Sequence, residues 1–141
     1  MKVTDVQIRL TEDPKSKLKA FCRVTFDDSI VVHDIKIIDS TTGTFVAMPS
    51  RRLMDRCPEC GLKNYLGARF CNDCGVELPA FDHRERSTAR LHTDVVHPIN
   101  ASSRESLEES ILHEFNEAMK RARRREDRRD GSFDGGEIKE A

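Results

Sequence analysis

Two C-x2-C pairs, Cys57 with Cys60 and Cys71 with Cys74, stand ten residues apart in CPECGLKNYLGARFCNDCG, and they constrain this chain more than any other feature. Each such turn can aim two sulfurs at one ion while nearby backbone amides support the thiolate charge. Gly61 and Gly75, directly after each pair, permit the tight exit such a knuckle needs. The spacing predicts one structural Zn2+ per chain in a compact zinc ribbon, tighter than the roughly 15 to 20 residues that often separate such pairs. Four thiolates close a tetrahedral coordination sphere and leave no position for a catalytic water. Iron in a rubredoxin-like geometry is the competing metal, and two disulfides are the remaining alternative, disfavoured in a reducing compartment. Tyr65, Leu66, Phe70, Val76 and Leu78 are too little apolar material for a free-standing fold. Metal, which contributes about 10 to 16 kcal/mol in small zinc peptides, must therefore do most of the stabilising. The fifth cysteine, Cys22, has no partner near it in sequence and reads as a buried thiol.

On either side of this module the pattern is different. Residues 1–50 alternate apolar and polar positions between turn signals, as half-buried strands do. Val6, Ile8 and Leu10 share one face, and Leu18, Ala20, Cys22, Val24 and Phe26 share another. The run 30–38 is more apolar and reads as central. Asp27, Asp28 and Ser29 mark one turn; Ser40 to Gly43 mark the next, before a short strand over 45–48 that Pro49 ends. Alternation stops at Arg51 and returns over 89–97. Asn100, Ser102 and Ser103 then offer helix caps, with Glu105 placed for a capping box on Ser102. Leu107, Ile111, Leu112, Phe115 and Met119 form one stripe at the 3.6-residue period, which should cover a face of the sheet. Beyond Ala122 apolar residues cease apart from Phe133 and Ile138.

The expected fold class is therefore α+β: an antiparallel β-sheet of about five strands, a C-terminal amphipathic helix, and a small zinc ribbon inserted in a hairpin loop. Residues 1–52 and 89–129 form the core, 53–88 the ribbon insertion, and 130–141 a disordered tail. The 141 residues suffice for one such domain. No run approaches the ~20 apolar residues of a membrane span, and no signal-peptide core opens the chain, so a soluble, cytoplasmic protein without a membrane partner is expected. Net charge is −1 at pH 7. Bulk charge thus neither demands nor excludes nucleic acid, and any polyanion site must come from local clustering. No nucleophile motif, phosphate-binding glycine loop or paired-carboxylate motif stands out, and the reading is of a protein that is not an enzyme. His33, His92, His97 and His113 lack ligand spacing and suggest no second metal site.

The strings IVVHDIKIIDSTTGTFVAMPSRR and DVVHPINASSRESLEESIL closely resemble the stage V sporulation protein G (SpoVG, septation regulator) family over residues 1–52 and about 89–118. The resemblance implies a small homodimer with an antiparallel sheet and C-terminal helix that binds DNA or RNA as a regulator, linked to cell division, septation and, in some bacteria, sporulation. The departure is the cysteine module, which occupies the place of a short loop in typical members. Hairpin tips tolerate such insertions well.

Two sets of cations answer the implied nucleic-acid role. Arg51 and Arg52 match the basic pair that the family places at this loop, and Arg104 matches a basic position near the helix start. Arg56, Lys63 and Arg69 lie in or beside the ribbon. Residues 120–129 set seven basic side chains, Lys120, Arg121, Arg123, Arg124 and Arg125 among them, against Glu126, Asp127 and the following Asp130. Phosphate contacts supply most non-specific affinity, so clusters of this kind are where contact would occur. The rival reading is a zinc-ribbon adaptor that docks a protein partner and binds little nucleic acid.

Overall fold

The computed structural model describes residues 1–80 and 91–131, which divide into two compact units. One comprises Met1–Ala47 and the helical segment after Pro98; the other is Met48–His97. Of the expected disordered tail 130–141, Asp130 ends the helix and Gly131 caps it, and the rest lies outside the described residues, as do residues 81–90, which include the start of the 89–97 run and the end of the 53–88 insertion.

The first unit is an antiparallel meander of four strands, β1 (Val3–Leu10), β2 (Leu18–Phe26), β3 (Ile30–Ser40) and β4 (Gly43–Ala47), in the order β1-β2-β3-β4. Its turns follow from local chemistry. In the three-residue connection from Phe26 to Ile30, Asp27 and Asp28 take positive φ (49° and 51°), which aspartate tolerates, and the Ser29 amide closes the turn on the Phe26 carbonyl at 2.9 Å. Between β3 and β4 the Ser40 hydroxyl accepts from the Thr42 amide and donates to the Gly43 carbonyl, while Gly43 itself sits at φ 124°. Strand β3 departs from simple alternation. Cys22 pairs with Ile35 but Val24 pairs with Val32, so β3 holds an extra residue, and Asp34 beside it adopts φ 61°. This bulge changes the parity, placing both Ile35 and Ile37 on the buried face although Val31 stays exposed.

Helix α1 (Ala101–Asp130) packs chiefly on β1, with lighter contact to β4 and β2. Leu107, Ile111 and Phe115 from its stripe close over Ala20, Cys22, Val24, Ile35, Ile37 and Val46. Leu112 and Met119 flank them half-buried. The helix starts at Asn100, whose side chain accepts from the Ser103 amide at 2.8 Å and from the Ser102 hydroxyl at 2.9 Å. The expected box with Glu105 is thus not the cap: Ser102 supports Asn100 rather than replacing it.

The second unit contains two small ladders. Strand β5 (Ser50–Arg52) pairs with β8 (His92–Asp94), and β6 (Met54–Arg56) pairs with β7 (Lys63–Tyr65). The run over 89–97 therefore supplies a three-residue strand to its own two-stranded sheet, and the main sheet has four strands where about five were expected. Val95 and Val96 are exposed, so their place in the alternation buries no face here. No described helix is long and apolar enough to cross a membrane.

Candidate metal centre and basic surfaces

The two C-x2-C turns repeat one local geometry. The Cys57 amide donates to the Leu62 carbonyl (2.8 Å) and the Gly61 amide to the Cys57 carbonyl (3.0 Å); the Cys71 amide donates to Val76 (2.9 Å) and the Gly75 amide to Cys71 (3.1 Å). Gly61 and Gly75 have φ of 77° and 75°. Nothing crowds the position a Cβ would take at either glycine, so backbone conformation alone demands them.

These knuckles bring all four sulfurs within 4.8 Å of one another. Cys60 and Cys71 Sγ are 3.5 Å apart, and Cys57 and Cys74 Sγ 3.7 Å. Sulfurs held at about 2.3 Å from a tetrahedral ion lie about 3.8 Å from one another, whereas a disulfide needs about 2.0 Å. All five cysteines are free thiols. The quartet can hold one metal ion, and its dimensions match thiolate coordination rather than two disulfides.

Electrostatics within the quartet are uneven. The backbone amides of Asp73 and Cys74, then the Asn64 side chain, hold the Cys71 thiol down to about 6. At Cys74 the Val76 amide pulls the other way, but burial and the neighbouring Cys57, Cys71 and Cys60 sulfurs push it up to about 12. Cys60 is also raised: burial and the Cys71 thiol outweigh the Leu62 amide. One thiolate forms readily, and its charge opposes the next. A divalent cation removes that opposition by taking the place of the protons.

Asn64, on β7, escaped the sequence reading. It is the one buried polar side chain among the described residues. Its Nδ2 donates to Cys71 Sγ (3.4 Å) and to the Leu62 carbonyl (3.2 Å), and its Oδ1 accepts from the Asn72 amide (2.9 Å). It thereby ties one knuckle to the other and orients a ligand sulfur from behind. Its position between Cys60 and Cys71 was visible in the sequence, but nothing in the C-x2-C pattern marks a residue there.

The candidate nucleic-acid residues are divided between the two units. Arg51 and Arg52 belong to the second unit, both exposed, with Arg51 opposite Thr93 and the Arg52 guanidinium carbon 5.0 Å from the centre of the Tyr65 ring. Arg104 and the distal cluster belong to α1, separated by about 24 Å of helix between Arg104 and Lys120. Arg104 pairs with Glu108 at 2.9 Å, and Lys120 with Glu117 at 3.1 Å. Lys120 also lowers the Glu117 carboxyl through their hydrogen bond. Both pairs are solvent-exposed and weak, so they leave the cations able to exchange partners. Arg121, Arg123, Arg124 and Arg125 are exposed along the last turns.

A family model described as SpoVG matches residues 1–117 of the chain. The protein named "Putative septation protein SpoVG" from Caldanaerobacter subterraneus subsp. tengcongensis is 35% identical over 118 residues, covering 84% of this chain and 91% of the relative. Its namesake from Clostridioides difficile is 35% identical over 120 residues with the same coverage. That of Alkaliphilus oremlandii is 36% identical over 115 residues, covering 82% and 86%.

Proposed function

Because the chain belongs to the SpoVG family, we propose that it is a nucleic-acid-binding regulator linked to septation, built on the sheet-and-helix unit and carrying a structural zinc ribbon. The observation that carries the nucleic-acid reading is the end of α1. Past Ala122 every described helical residue is exposed, and arginine dominates among them. A helix end with no buried face to serve and a surplus of planar, permanently charged donors suits phosphate contact. Arg51, Arg52 and Arg104 add cations at positions matching the family's basic ones.

Zinc is the metal that best fits four clustered thiolates with sulfur separations of 3.5 and 3.7 Å. In this reading it orders the ribbon and takes no part in chemistry. A homodimer in the cytoplasm completes the proposal, supported by the edges of β1 and β4, unpaired among the described residues, and by the exposure of Ile30, Val31 and Phe45 on the same small sheet. The adaptor reading draws on Phe70, 61% exposed beside the ligand Cys71.

Titration of labelled duplex DNA and of RNA across a salt series tests the regulator reading. Log affinity should fall linearly with log salt, and neutralising Arg51 and Arg52 should lower the duplex slope by about 2. Truncation after Met119 should remove several further units of slope. Metal-loaded protein that binds neither polymer at low salt would overturn the reading in favour of a protein partner.

A further inference from the structure

The β6–β7 ladder has two chemically different faces. Its register pairs Met54 with Tyr65, Asp55 with Asn64 and Arg56 with Lys63. Side chains alternate across a strand, so Asp55 and Asn64 stand on one side of the ladder, where buried Asn64 reaches Cys71 Sγ while exposed Asp55 accepts from the Arg56 amide through Oδ1 at 2.8 Å. Met54, Arg56, Lys63 and Tyr65 share the other, and all four are exposed. Arg52 joins them, its guanidinium over the Tyr65 ring.

Tyr65 is 45% exposed. Arg52 sits over the ring, and at Gly67 an added Cβ would come within 2.9 Å of a ring carbon, so a side chain there would push the ring from its place. An exposed aromatic ring next to three cations is the composition of a surface that stacks bases and contacts the backbone between them. The four thiolates repel phosphate from the inner face even with a divalent ion bound, which leaves the outer face as the one available. Of the acids in the two ladders, Asp55 turns its carboxylate to the Arg56 amide, and Asp94 stands opposite Ser50 at the end of β5–β8 farther from Arg52.

We infer that the outer face of β6–β7 is a binding site for single-stranded nucleic acid, with Tyr65 and the Arg52 plane stacking an unpaired base and Arg56 and Lys63 contacting phosphates. This rests on the nucleic-acid reading above and adds to it a place and a preference for unpaired strands. A duplex keeps its bases stacked internally and offers this face only its phosphates.

The test uses full-length metal-loaded protein with two labelled probes, an oligothymidylate and a duplex of equal length, read by anisotropy with metal content measured for each variant. Tyr65→Leu should lower oligothymidylate affinity about tenfold, while Tyr65→Phe keeps it and duplex affinity changes less than about twofold. Gly67→Ala, which displaces the ring without altering charge, should reproduce the Tyr65→Leu loss. Arg56→Gln with Lys63→Gln should lower the single-strand salt slope by about 1.4. If a Tyr65 or Gly67 variant loses metal, the Arg56 and Lys63 pair decides alone. Wild-type affinity and slope in metal-replete variants would overturn the inference, leaving this face to solvent or a protein, while duplex binding persists. Failure of the unaltered protein to bind either probe would instead remove the reading on which the inference stands.

Discussion

Replacing Asn64 by alanine isolates what a single neutral side chain does for the metal centre. The substitution deletes three hydrogen bonds, to Cys71 Sγ, the Leu62 carbonyl and the Asn72 amide, and leaves that amide without its acceptor. Groups that orient a ligand from behind typically contribute 10- to 100-fold in metal affinity, about 1.4 to 2.7 kcal/mol. The lower bound applies if water takes over the Asn72 amide, and the upper if it does not. Asn64→Asp should be worse. It sets an acceptor against Leu62 and Cys71 and a carboxylate beside four thiolates, whose charges a single divalent ion already fails to balance. Competition against a chromophoric chelator at neutral pH measures the affinities, with circular dichroism of the sheet and helix as the control on the rest of the fold. The order expected is wild type, then alanine, then aspartate. Equal affinities for all three would refute the claim that Asn64 organises the ligands.

Two further outcomes concern the sheet-and-helix unit. Cys22, 2% exposed, has its thiol pushed up to about 12 by burial, above an unfolded value of 9.0. A raised acid favours the protonated fold: its contribution is complete below pH 9, falls as pH rises toward 12 and totals about 4 kcal/mol, so Cys22→Val should flatten the alkaline limb of a denaturant midpoint series. Ile111, fully buried against the sheet, should destabilise by about 2 to 5 kcal/mol as alanine, read from urea unfolding, whereas Leu112→Ala beside it should cost visibly less.

Much of this architecture was readable because two periods are strong. The alternation through Leu18 to Phe26 marks β2, and the spacing of Leu107, Ile111 and Phe115 marks the buried face of α1, since each rests on one element meeting one core. The cysteine quartet was readable for a related reason, that C-x2-C turns are local. What escaped depends on partners distant in sequence or on single backbone angles. The parity change in β3 comes from a bulge beside Asp34, whose φ of 61° no apolar pattern records. Strand β5 pairs with β8 some forty residues on, and three-residue strands are too short to establish a period. The β6–β7 ladder was missed because its outer face, Met54, Arg56, Lys63 and Tyr65, is mixed in character while its inner face is defined by sulfur rather than by apolar side chains.

Helix α1 is 30 residues long, about 45 Å, but its fully buried residues end at Phe115 and its half-buried ones at Ala122. Past Ala122 the described helical side chains are all exposed and the backbone ladder carries most of the order, the regime in which isolated helices are marginal in water. Amide exchange should therefore rise steeply along one continuous element, slow near Ile111 and close to the free-peptide rate by Arg128. The segment behaves as a population rather than a fixed rod, and warming shortens it from the end. A polyanion neutralising the crowded arginines would lengthen it, so that helical content measured with and without ligand becomes a direct report of occupancy at this end of the molecule.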